Sequence, residues 1–304
     1  LLLNADQTPT WSGTLPQNPP STSSANGMQG PFSQKLFLGG IPYELSEGRV
    51  TEQIFTRENK GHSDLLYELH NFGRCTVRWP KTEGAGSVRP GFCHVIYQDA
   101  RSTVELLRRC THQNQEYFWH VQIRRSSLVV GNKIKPNHVK MIQVVPWCIT
   151  DNLCVIRYPN DDDSVLTKDW SRTIFLSALH GKMTAYSLAL IMTDVFGAVS
   201  FVQINTDKFL YPTGTATVLF RDSHSYIRAV STGSIYIKCD YFQKIHEIYP
   251  YLRENEECFS CSNSAIYFCR NNHCLRSYCK QCWIKKHGLR PLVDHQPITR
   301  KQKK

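Results

Sequence analysis

CFSC at residues 258–261, CRNNHC at 269–274 and CKQC at 279–282, followed by His287 and His295, gather eight thiol and imidazole groups into one short run. That count fills two tetrahedral zinc sites, because zinc takes four soft or borderline ligands in a structural centre. Cysteines two residues apart let one tight turn aim both sulfurs at a single ion. Three cysteine pairs with two histidines predict a cross-brace in which alternate pairs share a metal. Cys258, Cys261, Cys279 and Cys282 then hold the first zinc, and Cys269, Cys274, His287 and His295 the second. The rival reading is a disulfide scaffold, which needs a secreted chain and leaves the histidines without a role. With four ligands per ion every position is used, the closed pattern of a structural site rather than a catalytic one. A ubiquitin-ligase cross-brace is the nearest enzymatic look-alike, but its histidine usually falls inside the third pair.

Outward from this run, 304 residues suffice for two or three domains. The chain begins at Leu1 and is expected to be part of a longer protein. Six further cysteines (Cys75, Cys93, Cys110, Cys148, Cys154, Cys239) are scattered, as reduced thiols of a cytosolic or nuclear protein are. No run of about 18 apolar residues exists, so no membrane-spanning helix is expected. A formal charge of +11 points to an anionic partner, of which nucleic acid is the commonest.

Residues 1–32, rich in Pro, Ser, Thr, Asn, Gln and Gly, read as a disordered linker. Beyond them the pattern predicts a strand at Lys35–Leu38, a helix at Ser63–Phe72 and strands at Cys75–Trp79 and Gly91–Tyr97. A helix at Ser102–Cys110 and a closing strand at Val139–Val145 complete the unit, which occupies 33–147. The order β-α-β-β-α-β is the ferredoxin-like arrangement of RNA-recognition motifs (RRMs). A diverged second copy occupies 171–250, with strands at Arg172–Leu176, Ala198–Ile204, Thr215–Phe220 and Ile245–Ile248 and helices at Ala185–Phe196 and Ser225–Val230. Residues 148–170, with the acidic run Asp161–Asp163, read as an inter-domain linker. The zinc module follows at 251–299 and a basic tail at 300–304. The expected class is therefore α+β: two tandem RRMs and a small binuclear zinc domain.

RRMs stack bases on aromatic side chains of their two central strands. In the first copy Leu36–Ile41 fits one signature with Phe37 at the stacking position, and Pro90–Tyr97 fits the other. Alternation puts Phe92 and His94 on one face, opposite Leu36, Leu38, Cys93 and Val95. Arg74, Arg78, Lys81, Arg89, Arg124 and Arg125 surround this face and would supply salt-sensitive attraction to phosphates. The second copy keeps Phe175 but has Thr215 and Thr217 where rings would stand, offering hydrogen bonds without a stacking platform. It either contributes fewer base contacts, orients the first motif, or is a structural RRM.

Two consecutive RRMs followed by an eight-ligand Cys/His module resemble the cytoplasmic polyadenylation element-binding protein family. Leu36–Pro42 matches its first central-strand signature, and Val144–Trp147 its inter-motif segment. Ala178–Gly181, Asn205–Lys208 and Tyr211–Gly214 look like the second motif of the protein 1 branch. The likeness covers roughly residues 34–304. It implies that the terminal module is a ZZ-type binuclear zinc domain and that Phe37, Phe92 and Phe175 stack on RNA. It further implies binding of U-rich elements in mRNA 3′ untranslated regions, control of translation and poly(A) tail length, and a cytoplasmic location, with the nucleus and ribonucleoprotein granules as further compartments. Expected partners are single-stranded mRNA and translation, deadenylation and polyadenylation factors, with no membrane, small-molecule substrate or catalytic activity. His94 departs from the tyrosine usual there, Thr217 from a position typically basic, and Arg49–His62 is longer than in the family. An interaction adaptor using the zinc module and the RRM surfaces is the alternative.

Overall fold

The computed structural model describes residues 8–17, 31–41, 64–80, 91–123, 138–159, 169–271 and 273–299. It contains two compact units, one of Pro20–Thr150 with Thr206–Tyr211, the other of the remaining residues. In the second unit, the segment read as linker carries a strand, β1 (Thr10–Gly13). The rest of 1–32 described here is 14–17 and 31–32.

The first unit is built on β2 (Lys35–Gly39), α1 (Asp64–His70), β3 (Cys75–Arg78), β4 (Phe92–Tyr97) and α2 (Ala100–Arg108). It continues through β5 (Thr111–Gln113), β6 (Glu116–Ile123) and β7 (His138–Val145). The sheet order is β3-β4-β2-β7-β6-β5, the expected four strands extended by a hairpin. That hairpin was not anticipated between the second helix and the closing strand. Its turn is Asn114–Gln115, both at positive φ (49° and 63°), the two-residue form that matches the natural strand twist. Alternation along β6 puts Trp119 and Val121 into the core with Leu36, Leu38, Leu65, Leu69, Val95, Leu106 and Ile142.

The second unit contains β8 (Leu153–Val155), β9 (Thr173–Leu176), α3 (Ala185–Phe196), β10 (Val199–Thr206), β11 (Pro212–Phe220), α4 (Ser223–Thr232), β12 (Ser234–Cys239) and β13 (Gln243–Pro250). The order is β1-β12-β13-β9-β11-β10-β8. Three strands are absent from the sequence reading. β8 lies in the segment expected as inter-domain linker and pairs antiparallel with β10. β12 forms a hairpin with β13, and β1 lies parallel to β12. The N-terminal segment is held by contacts that periodicity does not reveal. Leu15 is buried and its N–H donates to Asp240 Oδ1 at 3.1 Å, while Trp11 Nε1 donates to Asp194 Oδ2 at 3.2 Å. Polar composition argues for disorder only until a neighbouring strand edge supplies the missing hydrogen bonds.

The repeat extends to details. Gly73 follows α1 at φ 148° and Gly197 follows α3 at φ 122°; a Cβ at either would collide with the hydroxyl of a serine, Ser102 or Ser225, on the next helix. Those next helices are each capped by an aspartate, Asp99 and Asp222.

The zinc-ligand module consists of β14 (Tyr267–Cys269), β15 (Arg276–Tyr278), α5 (Lys280–His287) and β16 (Pro297–Thr299). It joins the second unit, where Arg270 Nη2 donates to the Ile248 carbonyl of β13 at 3.1 Å. Among the described residues no helix is long and apolar enough to cross a membrane.

Candidate nucleic-acid interface and metal centre

The register of the first sheet assembles its open face row by row. Phe37 lies opposite His94 on β4 and Val145 on β7, and His94 lies opposite Arg78 on β3. Phe37 and Phe92 stack with ring centroids 5.5 Å apart at 30°, and His94 meets Phe37 edge-on at 5.7 Å. Phe92 is 38% exposed, while Leu36, Leu38, Cys93 and Val95 are wholly buried on the other face. Phe37, Phe92, His94 and Arg78 therefore share one accessible surface. A further ring missed in sequence is Phe118 on β6, opposite Gln143, which itself lies opposite Gly39. The alternation Tyr117, Trp119, Val121 was the signal that would have located it. Arg74 is exposed. Lys81, Arg89, Arg124 and Arg125 lie outside the described residues, as do the Arg49–His62 segment and the acidic run.

Thr206–Tyr211 belongs to this same unit. Lys35 Nζ pairs with Asp207 at 2.9 Å and sits 4.8 Å from the Tyr211 ring, whose edge faces His94 at 5.5 Å. Burial lowers the His94 pKa, Lys35 adds to this and Asp207 partly opposes it. His94 is thus a neutral ring at neutral pH, suited to stacking without a charge.

In the second sheet Phe175 lies opposite Thr217 on β11. Thr215 Oγ1 accepts from Asn205 Nδ2 at 3.0 Å, so this threonine is engaged within its own sheet. Neither threonine supplies a ring.

In the zinc-ligand module the eight groups fall into two sets, Cys258, Cys261, Cys279, Cys282 and Cys269, Cys274, His287, His295, each with its ligand atoms within 4.8 Å of one another. Cys261 Sγ lies 3.7 Å from Cys279 Sγ and 3.5 Å from Cys282 Sγ. A tetrahedral zinc with its usual bond lengths needs sulfurs about 3.8 Å apart, so the donors fit. In the other set Cys274 Sγ to His287 Nε2 is 3.5 Å and Cys269 Sγ to His295 Nδ1 is 3.3 Å, near the roughly 3.6 Å that a shared zinc requires. Burial by itself pushes the Cys258 thiol up, but N–H groups of Cys279, Ser260 and Cys261 bring it down to about 6. A thiolate is the form that binds metal. Cys279 caps α5 and its sulfur receives the Cys282 N–H at 3.5 Å, placing that pair on the helix N-terminus. Trp283 stacks on His287 at 3.7 Å and 5°, fixing the imidazole plane, and burial lowers the His287 pKa toward the neutral ligating form.

A family model described as "Cytoplasmic polyadenylation element-binding protein ZZ domain" matches residues 244–301, and an RNA recognition motif model matches 33–136. The chain belongs to the cytoplasmic polyadenylation element-binding protein family. Its relatives include "Cytoplasmic polyadenylation element-binding protein 3" of Caenorhabditis elegans, 31% identical over 94% of this chain and 37% of the relative. "Cytoplasmic polyadenylation element-binding protein 1" of Danio rerio is 33% identical over 97% of this chain and 48% of the relative. "Translational regulator orb2" of Drosophila melanogaster is 27% identical over 88% and 35%. The chain spans less than half the length of each of these relatives. A solved structure, "Structure of the RNA binding domain of Hrp1 in complex with RNA", aligns with a TM-score of 0.24 and 14% identity over 73% of this chain and 98% of that one. In the family's terms the zinc-ligand module is its ZZ domain, and the two sheets are its tandem RRMs.

Proposed function

We propose that this chain is a non-catalytic, sequence-specific mRNA-binding module that recognises U-rich cytoplasmic polyadenylation elements in 3′ untranslated regions, and so regulates translation and poly(A) tail length. The observation that carries this reading is the Phe37, Phe92 and His94 surface on one open sheet face, flanked by Arg78. A base stacked on an aromatic ring contributes roughly 1 to 3 kcal/mol and the flanking cations attract the phosphates, so a single strand is the ligand this face suits. Two zinc ions, one in each ligand set, would stabilise the ZZ domain as structural centres. Protein partners would be translation, deadenylation and polyadenylation factors, and the working compartment the cytoplasm, including ribonucleoprotein granules, with passage through the nucleus.

The test is a titration of the chain with labelled 5′-UUUUAU-3′ RNA against the same RNA with its uridine run changed to cytidine, at matched physiological salt. Matched salt removes the nonspecific electrostatic contribution from the comparison. Preference for the uridine run is expected. Equal binding to both would refute U-rich recognition, and no binding to either would leave a protein-interaction adaptor as the better reading.

A further inference from the structure

On the open face of the second sheet β11 presents Thr215 and Thr217 rather than rings, yet that face is not bare. β13 pairs with β9 so that Tyr249 stands directly opposite Phe175, on the side away from Thr217. Ile248 is wholly buried and Pro250 is buried, so alternation turns Tyr249 onto the face that carries Phe175. Directly opposed residues of antiparallel strands have Cβ atoms about 4.5–5.5 Å apart, close enough for two rings to form one continuous platform. The first sheet supplies the contrast: Phe37 is flanked by His94 on one side and Val145 on the other. In the second sheet the ring has changed sides of the central strand.

The surroundings of Tyr249 are built. Its hydroxyl lies 2.7 Å from Glu247 Oε2, to which it donates, and this carboxylate is the negative group beside the ring. The Arg270 guanidinium lies 5.7 Å from the ring centroid and is anchored to the Ile248 carbonyl. Gly233, at φ 72°, leaves the space the guanidinium occupies, where any Cβ would collide with it. Just past the end of β13, Tyr251 stacks on Trp170 at 4.5 Å and 20°.

We infer that Tyr249 is a base-stacking residue of the second motif, receiving the nucleotide beside the one on Phe175 while Arg270 faces the phosphodiester. The occupant is single-stranded RNA, because the platform continues the Phe175 position and its fixed cation complements a phosphate. This rests on the RNA-binding reading above. The cation comes from the residue after the zinc ligand Cys269, so the metal-ligand fold positions a contact of the second sheet.

The experiment is fluorescence anisotropy of the whole chain with a labelled U-rich RNA of about ten nucleotides, long enough to engage both sheets. Tyr249→Ala should weaken binding about tenfold, and Tyr249→Phe, which keeps the ring, should stay within about twofold of the parent. Phe37→Ala serves as the control for the first sheet. If Phe37→Ala weakens binding while Tyr249→Ala does not, the inference is overturned and the RNA-binding reading stands. If Tyr249→Phe loses as much as Tyr249→Ala, stacking is again overturned, since the lost group is then the hydroxyl. If the parent chain binds no RNA, both fall together.

Discussion

In the first motif Gly73 packs against Ser102 and Asp99 caps the second helix; in the second motif Gly197 packs against Ser225 and Asp222 caps the corresponding helix. Both central strands offer one phenylalanine to the open face, Phe37 and Phe175. The neighbours of that phenylalanine differ: His94 and Val145 in one, Thr217 and Tyr249 in the other. The buried side of an RRM is constrained by close packing, where a methyl group matters. The open side carries no such constraint, so two copies with one frame can hold different recognition surfaces.

The largest contrast is expected in binding. Phe37→Ala with Phe92→Ala removes two stacking rings and should cost about 2 to 6 kcal/mol of RNA affinity, while Phe175→Ala should cost about 1 to 3. Isothermal titration at fixed salt reads both. Equal losses would mean the second face contributes as much as the first, and the asymmetry would be gone.

Next in size is a stability effect in which the motifs should agree. Gly73→Ala and Gly197→Ala each force a side chain into the positive-φ region and against a serine, Ser102 or Ser225. Each should destabilise its own motif by about 2 to 5 kcal/mol, measured by urea unfolding followed by motif-specific amide exchange. A silent substitution in one motif alone would show that the two helix pairs are not packed alike.

How far this was legible in the sequence follows the same division. The metal ligands stand out because cysteine and histidine spacing is itself the chemistry, and the common face of Phe92 and His94 follows from strand alternation. The β6 strand is also legible, in the alternation of Tyr117, Trp119 and Val121, although its place in the sheet depends on its pairing with β7. β1 was not legible: Thr10–Gly13 has no hydrophobic period, and its pairing with Tyr236–Cys239 depends on a strand edge more than two hundred residues away. Tyr249 escaped for a related reason. Its place beside Phe175 is set by the register of β13, which extends beyond the Ile245–Ile248 read from composition.

The smallest contrast concerns protons. His246 occupies on β13 the place that Ile142 occupies on β7, two residues before the core residues Ile248 and Val144 that lie opposite Leu176 and Leu38. Its ring is 0% exposed, and both nitrogens lack an aligned hydrogen bond, although the Ser177 and Ala178 carbonyls face it. Burial first, then repulsion from Lys244 and His180, lower its pKa to about 4 against the opposing pull of the two carbonyls. The unfolded chain titrates near 6.5, so the folded form is the one that rejects the proton. Stability is therefore whole above about pH 6.5 and falls as pH drops toward 4. Between about pH 7 and pH 5 the loss from this group should be on the order of 2 kcal/mol. The zinc ligands also take up protons in acid, so the informative quantity is the difference between the parent chain and His246→Ile, which copies the first motif. Urea unfolding of both at the two pH values should show a smaller loss for the variant. Identical losses would mean that His246 finds a partner for its proton in the fold, and that the second core tolerates a charge that the first was never asked to hold.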